Sequence, residues 1–142
     1  DLSHAGEDIV IAIARGQAIG VDIERLHRRA MSPEIARRFF CASEADALAG
    51  LPESCRQAAF LRLWTHKEAV LKAIGGGLSF GLSRLEFALD ANGDVRGLRD
   101  IAGEAGAAED WRLHRFAIGE RLVGCLAWHG APRRVRAFAW TP

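Results

Sequence analysis

The longest regular pattern in the chain runs from about Ser54 to Ile74, and it limits what the rest can fold into. At about 100° per residue, Phe60, Leu63, Trp64, Val70, Leu71 and Ile74 fall on one stripe. A helix with one apolar stripe must lay it on a core, and Gly75-Gly76-Gly77 marks where this one stops. Trp64 belongs to the stripe, so it reads as a core anchor rather than a stacking platform for a ligand. Glu68 and Lys72 sit one turn apart beside it, by itself an ordinary helix pair contributing about 0.3–0.5 kcal/mol. Lys67 projects from the stripe itself, near Leu63, Trp64 and Leu71. Either its stem snorkels out of the core or an anion binds over that face.

Around this helix the pattern is mixed. Asp8–Ala14 is rich in β-branched residues and reads as a buried strand; Gly16-Gln17 turns the chain into a second strand, Ala18–Glu24. Residues 25–31 are polar and basic, as in a loop. Ser32-Pro33-Glu34 opens a helix expected to reach about Phe40, and Ser43 followed by Asp46 opens another that closes near Gly50. Leu85–Leu89 and Val95–Leu98 flank the hairpin signal Asn92-Gly93, and Trp111–Ile118 and Arg121–His129 flank Gly119-Glu120. Val135–Trp140 reads as a last strand, and Gly103–Asp110 as a mobile connector. The sum is α+β.

Bulk properties narrow the function classes. The 142 residues suffice for one domain with a working core. The 19 basic and 18 acidic side chains nearly cancel, which is not the balance of a protein built to coat nucleic acid or an anionic membrane. No apolar run approaches the roughly 20 residues of a membrane span, and the opening Asp1-Leu2-Ser3-His4 is not a signal peptide. Cys41, Cys55 and Cys125 are odd in number and irregularly spaced, which argues against a disulfide framework or a zinc site and for a reducing compartment, the cytoplasm. A chain opening on Asp1 at the edge of a strand is expected to be a fragment.

Two further features carry chemistry. Asp22 and Glu24 share one face of a strand end, while Val21 and Ile23 share the other. Neighbouring carboxylates repel, so such a pair is either solvated or holds a hard cation. Ser3-His4 before Ala5-Gly6 is weak by itself. Acids on a strand with an acid and lysines on a helix are what a site for Mg²⁺ and a pyrophosphate requires, with His4 as a further anion contact.

Ser3-His4-Ala5, Gly20-Val21-Asp22-Ile23-Glu24 and the run Trp64 to Ala73, WTHKEAVLKA, resemble in order and spacing the 4'-phosphopantetheinyl transferases, more closely the larger surfactin-synthetase-activating (Sfp-like) type. The likeness continues through Gly77-Leu78-Ser79 and weakens after about Leu98. It implies an antiparallel sheet packed against a helical block with one long helix. Residues 1–17 would be the last strands of a preceding half, and 18–142 the second half of a pseudo-twofold enzyme with its site between the halves. It implies that Asp22, Glu24 and Glu68 hold Mg²⁺ and that Lys72, helped by Lys67, neutralises the phosphates of coenzyme A. His4, with Ser3 beside it, would contact the phosphates, His4 the 3'-phosphate. Glu68, directly or through a water, would be the base for a carrier-protein serine that attacks the phosphorus bonded to pantetheine, releasing 3',5'-ADP.

The implied partner is an acidic acyl or peptidyl carrier protein. Arg28, Arg29, Arg37 and Arg38, with Phe39 or Phe40, are expected to form part of its dock, unless they are a plain solvated face. Two other readings stand beside this one: a metal-dependent nuclease-like phosphodiesterase, which should show a broader basic surface, and a non-catalytic fragment that binds carriers.

Overall fold

The computed structural model describes residues 1–27, 33–76 and 79–141. A hairpin of β1 (Leu2–Ala5) and β2 (Asp8–Ile11) leads into β3 (Gly20–Arg25). Three helices follow, α1 (Pro33–Phe39), α2 (Ala42–Ala49) and α3 (Glu53–Ile74). A two-stranded ribbon of β4 (Leu85–Leu89) and β5 (Val95–Ile101) comes next, then β6 (Trp111–Ile118) and β7 (Leu122–His129). β3, β7 and β6 make an antiparallel sheet in that order, and α3 packs across β3 and β7. This is the α+β arrangement expected, an antiparallel sheet on a helical block. Among the described residues no helix is long and apolar enough to cross a membrane.

The apolar stripe of α3 is in place. Phe60, Leu63, Val70 and Leu71 are buried, and Trp64 stacks on Phe60 with ring centroids 6.0 Å apart. Gly75 ends the helix in the left-handed region (φ 82°), where its N–H donates to the carbonyls of Leu71 and Lys72. Gly20 lets β3 meet this helix closely. A Cβ there would lie 2.0 Å from the Ala69 carbonyl oxygen and 2.5 Å from the Ala73 nitrogen. Only the absence of a side chain permits that approach.

Lys67 departs from both sequence expectations: it neither snorkels nor faces a ligand. Its side chain is fully buried, with Nζ 2.7 Å from Glu44 Oε1, whose side chain is equally buried. Nζ also donates to the carbonyls of Leu82 (2.8 Å) and Leu85 (2.6 Å). Glu44 in turn accepts from the N–H groups of Cys41 and Phe87. The pair therefore ties α2, α3 and the start of β4 together, and the Phe40 ring lies 5.0 Å from the ammonium.

Four further expectations need correction. Residues 8–14 are not a buried strand: β2 ends at Ile11, and Ile9, Ile11 and Ile13 are 63%, 65% and 90% exposed. Among the described residues β2 pairs only with β1, and Ile9 and Ile11 lie on its solvent side. Residues 132–140 form no strand, because no neighbouring strand pairs with them, and Phe138 and Trp140 stand in solvent. Gly103–Asp110 is folded rather than loose: it makes two short 3₁₀ turns, and the Trp111 indole N–H donates to Ala105 O at 3.0 Å. Phe40 is buried and stacked on Phe60 at 5.1 Å, so it serves the core, not a docking surface. Ser32 and Gly77-Leu78 lie outside the described residues.

Removing one partner of a buried ion pair strands the other charge. Glu44→Ala is therefore expected to destabilise the protein by about 3–5 kcal/mol, read as a lowered urea midpoint. Replacing both residues together, Glu44→Leu with Lys67→Met, should recover most of that loss.

Candidate active site

The Gly20 contact fixes which way β3 faces. Since a Cβ at Gly20 would point into α3, the two-residue period turns Asp22 and Glu24 to the same side, toward Glu68 and Lys72 on the turn flanking Ala69. Asp22 is only 7% exposed. Its Oδ1 accepts from Ser3 Oγ at 3.1 Å and from Lys72 Nζ at 3.3 Å. Lys72 Nζ also donates to the Val21 carbonyl at 2.8 Å. Asp22 Oδ2 and Glu68 Oε1, by contrast, are buried with no hydrogen-bond partner.

Burial governs the electrostatics. It pushes the Asp22 carboxyl up to about 6, against the pull of Lys72 and with repulsion from Glu24 adding to the rise. The Glu68 carboxyl is raised in the same way: burial first, Lys72 opposing, Glu24 reinforcing. Asp22 and Glu68 are two desolvated acids beside one lysine, each with an oxygen that receives no donor. Such a set offers oxygens only. Among the described residues no three His, Cys, Asp or Glu side chains converge into a ready metal cage. An oxygen-only donor set is the kind a hard cation such as Mg²⁺ takes, with waters and substrate phosphates completing its shell. The residues fit the group.

Other sequence candidates are distributed differently. Along β1 the side chains alternate, so Ser3 is buried and His4 is exposed. Ser3 Oγ accepts from the Ile23 N–H (3.2 Å) while donating to Asp22. Lys67 lies in the core with Glu44 and is not brought to the site. Arg37 is exposed and paired with Asp46 at 2.8 Å, Arg38 lies over the exposed Phe39 ring, and Arg28 and Arg29 fall outside the described residues. Sequence reasoning missed Glu44 and Gly20. Glu44 stands three residues after the helix-capping position, a signal hidden because that position is Cys41 rather than Ser or Thr. A groove of about 420 Å³ lined by Arg62, Thr65, Asp94 and Arg115 lies further along α3 and includes none of Asp22, Glu24 and Glu68.

Asp22 and Glu68, buried beside Lys72 between a strand and a helix, form an oxygen-rich site in which each acid keeps one oxygen without a donor. A family model described as the 4'-phosphopantetheinyl transferase superfamily matches residues 18–125. The chain is 30% identical over 142 residues to the 4'-phosphopantetheinyl transferase HetI of Nostoc sp., covering all of this chain and 53% of that protein. It is 38% identical over 95 residues to the transferase psf-1 of Bacillus pumilus, 67% of this chain and 40% of the relative. It is 35% identical over 95 residues to Sfp of Bacillus subtilis, 67% of this chain and 41% of the relative. The chain belongs to the 4'-phosphopantetheinyl transferase superfamily and sides with its Sfp-like members. It spans about half the length of the curated relatives it matches, or less.

The raised Asp22 carboxyl has a pH signature. Without metal the folded protein holds this proton up to about pH 6, whereas an unfolded aspartate loses it near the ordinary 3.8. The folded state thus binds more protons across that window. Stability from Asp22 is fully present below about pH 4 and is lost as pH rises through about 6, a change of about 3 kcal/mol. Urea unfolding from pH 4 to 8 should show that slope in the wild type and a shallower one in Asp22→Asn, where the raised Glu68 carboxyl still contributes in the same direction.

Proposed function

We propose that this chain carries the catalytic carboxylates of an enzyme that moves 4'-phosphopantetheine from coenzyme A to a serine of an apo carrier protein, releasing 3',5'-ADP. One observation carries the reading: in a chain of this superfamily, Asp22 and Glu68 keep buried, unpartnered oxygens beside Lys72. Asp22, Glu24 and Glu68 would hold Mg²⁺, which when bound draws charge off the phosphate oxygens and steadies the leaving pyrophosphate oxygen.

The chain's own residues supply the rest. A serine hydroxyl is a weak nucleophile at neutral pH and needs a base. Glu68, its carboxyl raised by burial, accepts the hydroxyl proton, directly or through a water. The serine oxygen then bonds to the phosphorus that carries pantetheine, and the bond from that phosphorus to the bridging oxygen breaks. 3',5'-ADP departs with that oxygen. Lys72, whose side chain remains 28% exposed, balances phosphate charge, and His4 on the outer face of β1 meets the 3'-phosphate. Lys67 takes no part.

Residues 1–17 fit the end of a preceding half, since the exposed Ile9 and Ile11 form a face that such a half would cover. The three cysteines, all free, accord with a reducing compartment such as the cytoplasm.

For the carrier, Arg37 on α1 and Arg56 on α3 line a groove of about 300 Å³ that also holds Ala36, Leu48 and Glu53, while Arg38 and the exposed Phe39 lie on the same helix α1 outside it. The arginines of α1 would supply the positive charge that an acidic helical domain meets. Charge reversal at Arg28, Arg29 and Arg38 should raise the carrier KM about tenfold while leaving the KM for coenzyme A unchanged; steady-state kinetics with each substrate varied will show whether it does.

Intact-mass spectrometry tests the reaction. An apo carrier incubated with the protein, coenzyme A and Mg²⁺ should gain one phosphopantetheine, a gain abolished by EDTA. Glu68→Gln should slow it by about 10²–10⁴-fold. No transfer, from this chain or from any longer protein containing it, overturns the reading.

A further inference from the structure

The Asp22 carboxylate is divided. Oδ1 receives two donors, the Ser3 hydroxyl at 3.1 Å and the Lys72 ammonium at 3.3 Å, while Oδ2 is buried and receives none. A carboxylate free to turn about its Cβ–Cγ bond would share its donors between both oxygens. Here two fixed donors on one oxygen hold the other in a single place.

Ser3 acts on more than the carboxylate. Its Oγ accepts the Ile23 N–H at 3.2 Å, so the hydroxyl proton is directed away from the β3 backbone and onto the Asp22 side chain. One atom thereby ties down both the side chain of Asp22 and the backbone immediately after it. Ser3 is itself 5% exposed, and the alternation of β1 that turns it inward is set by pairing with β2, where Ser3 lies opposite Val10. The hairpin is thus a brace, delivering one hydroxyl to one carboxylate of the next strand.

We propose that Ser3 is a positioning residue for the cation: by donating to Asp22 Oδ1 it presents Asp22 Oδ2 to a divalent cation. This rests on the metal reading above and assigns Ser3 a role different from the phosphate contact that the sequence resemblance implied. Groups that orient a ligand from behind typically contribute 10–100-fold to metal affinity.

The experiment is Mg²⁺ binding by calorimetry, with metal-free thermal stability recorded alongside. Ser3→Ala should weaken Mg²⁺ binding about 10–100-fold, and Ser3→Thr, which keeps the hydroxyl, should bind within about twofold of wild type. If Ser3→Ala does not fold, Ser3→Cys, nearly isosteric with a weaker donor, should show an intermediate loss. In an Asp22→Asn background Ser3→Ala should cost no further affinity, because the group it orients is gone. A merely structural Ser3 would lower the metal-free melting temperature and leave Mg²⁺ affinity intact, and that outcome overturns the inference. Equal losses with and without Asp22 overturn it as well. A wild-type protein that binds no Mg²⁺ overturns the metal reading itself, and the inference with it.

Discussion

The rest of the molecule hangs on an ammonium and a carboxylate placed where no water reaches. Lys67 and Glu44 have no exposed side-chain surface, and each makes further hydrogen bonds in addition to the pair. Nζ has three protons, and Glu44 with the carbonyls of Leu82 and Leu85 takes all three. Burying two charges costs several kcal/mol apiece, and a pair survives only when geometry and extra hydrogen bonds offset the loss. The cost is tolerated here for what the pair specifies. It admits one rotation of α3 about its axis, because any other would leave an unpaired charge in the core. Once that rotation is set, the next residue in sequence, Glu68, points about 100° away from the pair.

Rotation alone does not bring Glu68 to Asp22; the separation of helix and strand must also be small. Gly20 sets it. With the β3 backbone against Ala69 and Ala73, the two-residue period of the strand and the four-residue repeat of the helix bring Asp22 and Lys72 within hydrogen-bonding distance. A side chain at position 20 would force the two elements apart, and overpacking of that kind costs about 1–3 kcal/mol before any change at the site. The glycine that opens the strand motif is therefore a spacing element for the carboxylates that follow it, not a turn.

Much of this was legible in the sequence, and the exceptions share a cause. Helix α3, its stripe and its glycine stop were readable because periodicity is local. So were the hairpin strands around Asn92-Gly93 and Gly119-Glu120. The facing of Asp22 and Glu24 to one side followed from strand geometry alone. What periodicity leaves open is the identity of the group across the gap. Lys67 could be placed on the stripe, but nothing local announced that Glu44, on another helix, would meet it. Ser3 could be seen beside His4, but which of the two faces inward depends on how β1 lies against β3. Residues 8–14 and 135–140 have the composition of strands that need a neighbour, and composition does not state whether the neighbour is present. Phe40 reads as well for a docking surface as for a core until Phe60 is found stacked on it.

The two charged clusters of α3 are opposite solutions to one problem. Around Lys67 every donor and acceptor is matched, and the cluster stabilises the fold at the expense of any chemistry. Around Glu68 the matching is left incomplete: two oxygens lack partners, and burial raises both carboxyls against the pull of Lys72. An unpartnered buried acceptor costs about 1–3 kcal/mol, so the second cluster destabilises the protein that carries it. Such a defect persists only where surrounding structure fixes it in place. The matched pair on one side of the helix and the side-chainless contact at Gly20 on the other provide that constraint. The helix can hold Glu68 and Asp22 with oxygens that receive no donor because its position is already decided elsewhere, and under the proposed function an incoming cation would meet those oxygens.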